Sequence, residues 1–202
     1  MSIDKKALLT IFAVVATELI GFGLIIPVLP LIATKFQTSG LLLGFLMASY
    51  SIAQFIAAPI LGKLSDKYGR KNILIISKFG TVISYIILAF ANNYGLFLVS
   101  RLLDGFTGGN IAVARAYIAD VTTEEDRPKG MAVIGISFGV GFILGPALGG
   151  LLFGIGASHF IPALAAGSLS LIAMILTIII LKEPKKHTKK TPSPNHLSTI
   201  IQ

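Results

Sequence analysis

The sequence predicts an all-α membrane protein, a bundle of six transmembrane helices. Three observations predict it. First, 54% of the 202 residues are hydrophobic and 13% are charged, with mean hydropathy +0.84. A soluble domain carries nearer a quarter charged residues, so this chain lacks the polar groups to cover a surface in water. Second, six apolar runs of about 20 residues or somewhat more follow one another, at 7–33, 41–62, 73–91, 95–118, 130–154 and 160–181. About 20 residues at 1.5 Å each cross a hydrocarbon core of about 30 Å. Third, lysine and arginine collect in alternate connections. Backbone groups find no water in lipid, so such spans are helices. Strands of a membrane barrel alternate apolar and polar residues over about ten positions, and no run here does.

The elements follow in order. Lys5 and Lys6 precede span one, which holds Glu18 and ends in Pro27 and Pro30. Its apolar part is too long for a secretory signal, so it reads as a retained helix, kinked or ending near Pro27. Spans two and three are joined by "GKLSDKYGRKN", residues 62–72, with Lys63, Lys67, Arg70 and Lys71. The connections "ANNYG" and "GIGASHF" carry neither lysine nor arginine, whereas Arg127 and Lys129 lie between spans four and five. Lys182, Lys185, Lys186, Lys189 and Lys190 follow span six. Thirteen of the 17 basic residues therefore fall on one side, against Lys35 alone on the other. By the positive-inside rule both termini are cytoplasmic. The formal charge of +8 is a topology signal with some attraction to anionic lipid, and nucleic acid is not an expected partner. Residues 1–184 form the six-span unit, and 185–202 form a basic tail expected to be disordered. There is no cysteine, and the three histidines show no metal-ligand spacing, so neither metal nor cofactor is expected.

Charges inside the spans are the candidate chemistry. Glu18 lies roughly 16 Å into span one, near the midplane. A carboxylate there costs on the order of 2.5–3.5 kcal/mol. Either it pairs with a neighbour in a polar interior, or it is a site that takes and releases protons. Arg101 and Asp104 are three residues apart on one helix face, which Gly108 and Arg115 continue. They form a self-neutralising pair, or they exchange a proton with changing partners. In span five Gly135, Gly139, Gly141, Gly145, Gly149 and Gly150 allow close helix approach, and Pro146 removes one helix hydrogen bond. Phe79, Tyr85 and Phe138 either line a pocket or pack against lipid and neighbours.

Four stretches together resemble a known family. The spacing G-x-L-x-D-x-x-G-R-K, which is Gly62, Leu64, Asp66, Gly69, Arg70 and Lys71 here, resembles the signature loop of the major facilitator superfamily. "ELIGFGLIIPVLP" (18–30) looks like the opening helix of the twelve-span drug:proton antiporters, tetracycline exporters among them. "RLLDGFTGGNIAVARAYIAD" (101–120) is similar to their R-x-x-x-G signature. "GVGFILGPALGG" (139–150) matches the antiporter element G-x-x-x-G-P-x-x-G-G, placing it on Gly141, Gly145, Pro146, Gly149 and Gly150. The resemblance implies the N-terminal six-span half of such a fold. It implies proton-coupled export of a small drug-like or metabolite substrate by alternating access, with proton-coupling roles for Glu18 and Arg101. It also implies gating by the 62–72 loop, whose Asp66 faces a helix N-terminus of a second half. Asp104 departs from the family, which commonly has glutamine or a small residue there, and it adds a second candidate proton-coupling residue. The acid that tetracycline exporters carry in span three is Ser84 here, which puts tetracycline in doubt. The chain reads as a truncated or split half that needs a C-terminal six-span half or a second copy. The alternative is a complete six-span protein that acts as an assembly partner without transporting.

Overall fold

The computed structural model describes residues 5–35, 39–156 and 158–184. Every regular element among them is an α-helix. They run α1 (Lys5–Ile25), α2 (Val28–Lys35), α3 (Gly40–Tyr68), α4 (Arg70–Ala89), α5 (Tyr94–Gly108), α6 (Asn110–Val121), α7 (Arg127–Gly156) and α8 (Phe160–Ile180). The tail call at 185–202 lies outside the described residues.

The eight helices make six crossings. Span one breaks at Ile26–Pro27, where the proline ring removes a donor, and continues as α2. Span four breaks at Gly109 into α5 and α6, a break the sequence expectation lacked. Five segments are singly long and apolar enough to cross a membrane, and α5 with α6 supplies the sixth crossing in two pieces. Side chains start two of the helices: Ser39 Oγ accepts from Leu42 N, and Asn93 Oδ1 accepts from Leu96 N.

The second connection is shorter than expected. Helix α3 runs on to Tyr68 and α4 starts at Arg70, so the charged stretch is mostly helix. Gly69 alone joins them at φ 98°, a backbone region that side chains other than glycine's disfavour. Asp66 therefore sits in the last turn of α3 and not in a solvated loop.

Helix α1 is the central post, packed on α7 and α8, while α4 lies between α5 and α8 and α3 packs on α5 and α6. The outside is apolar: Phe55 is 82% exposed and Ile143 72%. Lipid or another apolar helix surface must cover such a face.

Within this chain, only part of the glycine set of α7 meets α1. A methyl built on Gly145 would lie 2.7 Å from Gly23 Cα, and Gly141 and Gly149 press on Leu19 and Leu24. Gly135, Gly139 and Gly150 have nothing within 4 Å and are exposed. Only the stripe at every fourth residue makes the seam. Pro146 sits inside α7, its ring 3.0 Å from where a Gly23 methyl would be.

Candidate buried charge site

Two ion pairs lie inside the bundle. Glu18, on α1, is 1% exposed, and Lys78, on α4, is fully buried. Lys78 Nζ donates to Glu18 Oε2 at 2.7 Å and to Thr17 Oγ1 at 3.2 Å. Asn110, the first residue of α6, donates from Nδ2 to the same Glu18 oxygen at 3.1 Å. Asn110 follows directly on the Gly109 break and is fully buried. Glu18 Oε1 has no hydrogen-bond partner among the described residues. It would lie 3.1 Å from a methyl on Gly108, where Tyr50 Oη and Gln54 Nε2 also crowd in. Gln54 donates to Tyr50 Oη and to the Gly108 carbonyl, both at 3.1 Å.

The second pair is on α5. Arg101 Nη2 lies 3.1 Å from Asp104 Oδ2, and both side chains are buried. The guanidinium carbon stands 5.5 Å from the centre of the Tyr85 ring. Ser84 Oγ lies 3.4 Å from Asp104 Oδ1. Ser84 thus presents a hydroxyl to an acid on the next span. Thr81 and Thr107 share a hydrogen bond of 2.8 Å between α4 and α5.

Sequence reasoning found Glu18, Arg101 and Asp104, and the fold brings them into one interior with Tyr50 between α1 and α5. It missed Lys78, Asn110, Tyr50 and Gln54. A lysine in the middle of an apolar run was the available signal for the first of these. Arg115 does not join the buried charges: it is exposed on α6. Of the aromatic candidates, Tyr85 is buried beneath Arg101 and Phe79 is exposed. Phe138 packs on the core near Phe142. A small cleft of about 60 Å³ is lined instead by Phe22, Ile26, Leu29, Met47, Tyr50 and Arg101.

At the end of the bundle holding the basic connections, the 62–72 stretch is a network. Arg70 pairs with Asp66 at 2.6 Å and with Asp120, at the end of α6, at 2.8 Å, and it also donates to Ser65. Glu183 accepts from the backbone N–H groups of Arg70 (2.6 Å) and Lys71 (2.9 Å), and so caps α4 from beyond α8. Lys71 Nζ donates to the Ile178 carbonyl. Gly62 is an interior residue of α3, and its carbonyl accepts from Ser65 Oγ. Asp66 is 64% exposed, so its pairing with Arg70 is worth about 0–1 kcal/mol.

A multi-pass helical membrane protein with paired charges at its centre is the class these features define. Residues 11–201 match the family model described as Major Facilitator Superfamily, and the chain belongs to that family. It is 39% identical over 204 residues to the tetracycline resistance protein, class H, of Pasteurella multocida, covering 98% of this chain and 50% of that one. It is 35% identical to multidrug resistance protein 2 of Bacillus subtilis, covering 86% and 44%. The solved human organic anion transporter MFSD10 (TETRAN) superposes with TM-score 0.79 at 27% identity, covering 96% of this chain and 51% of that one. The chain spans about half the length of the curated relatives it matches.

Proposed function

We propose that the chain is the N-terminal half of a proton-coupled exporter of small drug-like molecules. It works by alternating access with a C-terminal six-span half or a second copy, in the cell's plasma membrane, the inner one where there are two. The observation that carries this reading is the pair of buried ion pairs, Glu18–Lys78 and Arg101–Asp104, with Arg101 on the wall of a cleft. A half-bundle that only had to hold together would do as well with apolar residues, because burying paired charges rarely adds stability. Charges kept inside a membrane mark ion or substrate paths. Glu18 and Asp104 are the proton carriers, and Arg101 is the partner that alternates. The tetracycline and multidrug resistance relatives support a drug-like substrate. Ser84 in place of an acid argues against tetracycline itself.

Asp66, Arg70 and their neighbours form the gate. Asp66 is exposed enough to meet a helix N-terminus of the other half as well as Arg70. Both termini are cytoplasmic. The chain has no cysteine, so single cysteines report the topology cleanly. Cysteines at Asn92 and at Glu125, both exposed, are expected to react with a membrane-impermeant maleimide from opposite faces. Reaction from one face would refute the orientation.

Transport is tested by co-expressing the chain with the C-terminal half of a relative and following the cell content of a neutral fluorescent dye. Energy-dependent lowering is expected with the pair, and unchanged content in cells making both halves would count against export.

A further inference from the structure

We infer that the cleft beside Arg101 is a binding subsite for the carboxylate of an aromatic or apolar organic acid, an inference that rests on the transport reading above. The cleft lies between α1, α2, α3 and α5, and Arg101 is the one charged residue on its wall. The other walls are apolar: Phe22 and Tyr50 pair with ring centres 4.4 Å apart, flanked by Ile26, Leu29 and Met47. About 60 Å³ holds a carboxylate group and little more, so the rest of the ligand extends outward across Met47, which is 40% exposed.

Arg101 is under-used where it stands. Among the described residues neither Nε nor Nη2 has a hydrogen-bond partner, and Asp104 Oδ2, 3.1 Å away, has none either. The pair attracts by charge alone, without a directed N–H···O bond. A buried guanidinium with unbonded N–H groups is costly, and a carboxylate is the group whose two oxygens match a guanidinium with parallel bonds. Apart from Asp104, the surrounding charges do not compete for Arg101. Glu18 is held by Lys78 and Asn110, α4 carries Ser84 and no acid, and α8 contributes no titratable side chain. A cationic ligand would meet Arg101 head-on.

The test uses the full chain in mild detergent and three probes of one shape: 1-naphthylacetate, its methyl ester, and 1-naphthylethylammonium. Binding is read from naphthalene fluorescence anisotropy. Naphthylacetate is expected to bind at least tenfold more tightly than either of the others. The double variant R101Q/D104N removes the pair without stranding a charge and is expected to lose that preference. Met47→Trp fills the cleft from its exposed rim and is expected to abolish binding of the acid while thermal melting is unchanged. Equal affinity for acid and ester would overturn the subsite. So would tighter binding of the ammonium, no binding of any probe, a preference that survives R101Q/D104N, or acid binding unaffected by Met47→Trp. Dye efflux by the co-expressed halves separates the two readings. Efflux without carboxylate preference sinks the subsite alone, and preference without efflux counts against transport alone.

Discussion

Lys78→Met is expected to destabilise the bundle by about 3–5 kcal/mol, the largest loss of any single change in the interior. The methionine keeps the length and apolar stem of lysine. What goes is the ammonium that faces Glu18 Oε2 at 2.7 Å, both groups being almost wholly buried. Among the described residues the carboxylate then keeps the Asn110 amide as its donor, in a buried place. Most of the loss therefore belongs to the stranded carboxylate, not to the missing bond. Replacing both members, E18Q/K78M, is expected to recover most of it, because no charge is left uncompensated. Thermal unfolding in detergent of the two single variants and the double gives the coupling. A Lys78→Met chain as stable as the parent would show that the pair is not formed.

Gly145→Val is expected to cost about 1–3 kcal/mol or more and to loosen α7 from α1. Without a hydrophobic force between helices in lipid, their association depends on close packing. At Gly145 the opposing atom is the backbone of Gly23, which cannot rotate away as a side chain can. Gly150→Val, five residues on but facing open space, is expected to be nearly silent as far as α7's packing within this half is concerned. Comparing their melting temperatures isolates the seam from the general cost of a branched residue in a helix. Equal losses would mean that the cost is helical propensity and that α1 and α7 are not in this contact.

The fold was legible because lipid imposes so much. Length, hydropathy and the placement of Lys and Arg gave six crossings, and Pro27 marked the end of α1. What was not legible came from direction, not composition. Six glycines of span five were pooled as one packing surface, yet helical geometry puts 141, 145 and 149 on one stripe and 135, 139 and 150 on others. The Gly108–Gly109 pair was read as part of one helix, but the helix breaks there, Asn110 directly after the break donates to Glu18, and Arg115 is exposed. At the site, carboxylates were sought as proton carriers one at a time. Lys78 was missed because basic residues were counted as loop markers, and the spacing of 60 residues to Glu18 carries no local signal. Glu183 was missed for the same reason. A glutamate just past the last span looks like a solvated end, and only the chain's return to α4 makes it a cap.

The central claim is that Glu18 is a proton carrier as well as Lys78's partner. Its direct test is dye efflux by the co-expressed halves in inverted vesicles, with and without an imposed pH gradient, for the parent and for Glu18→Gln. The account expects the gradient to drive the parent and to have no effect on Glu18→Gln, while that variant still binds and slowly exchanges dye. Gradient-driven efflux by Glu18→Gln at the parent's rate would contradict it and would leave Glu18 a structural partner of Lys78.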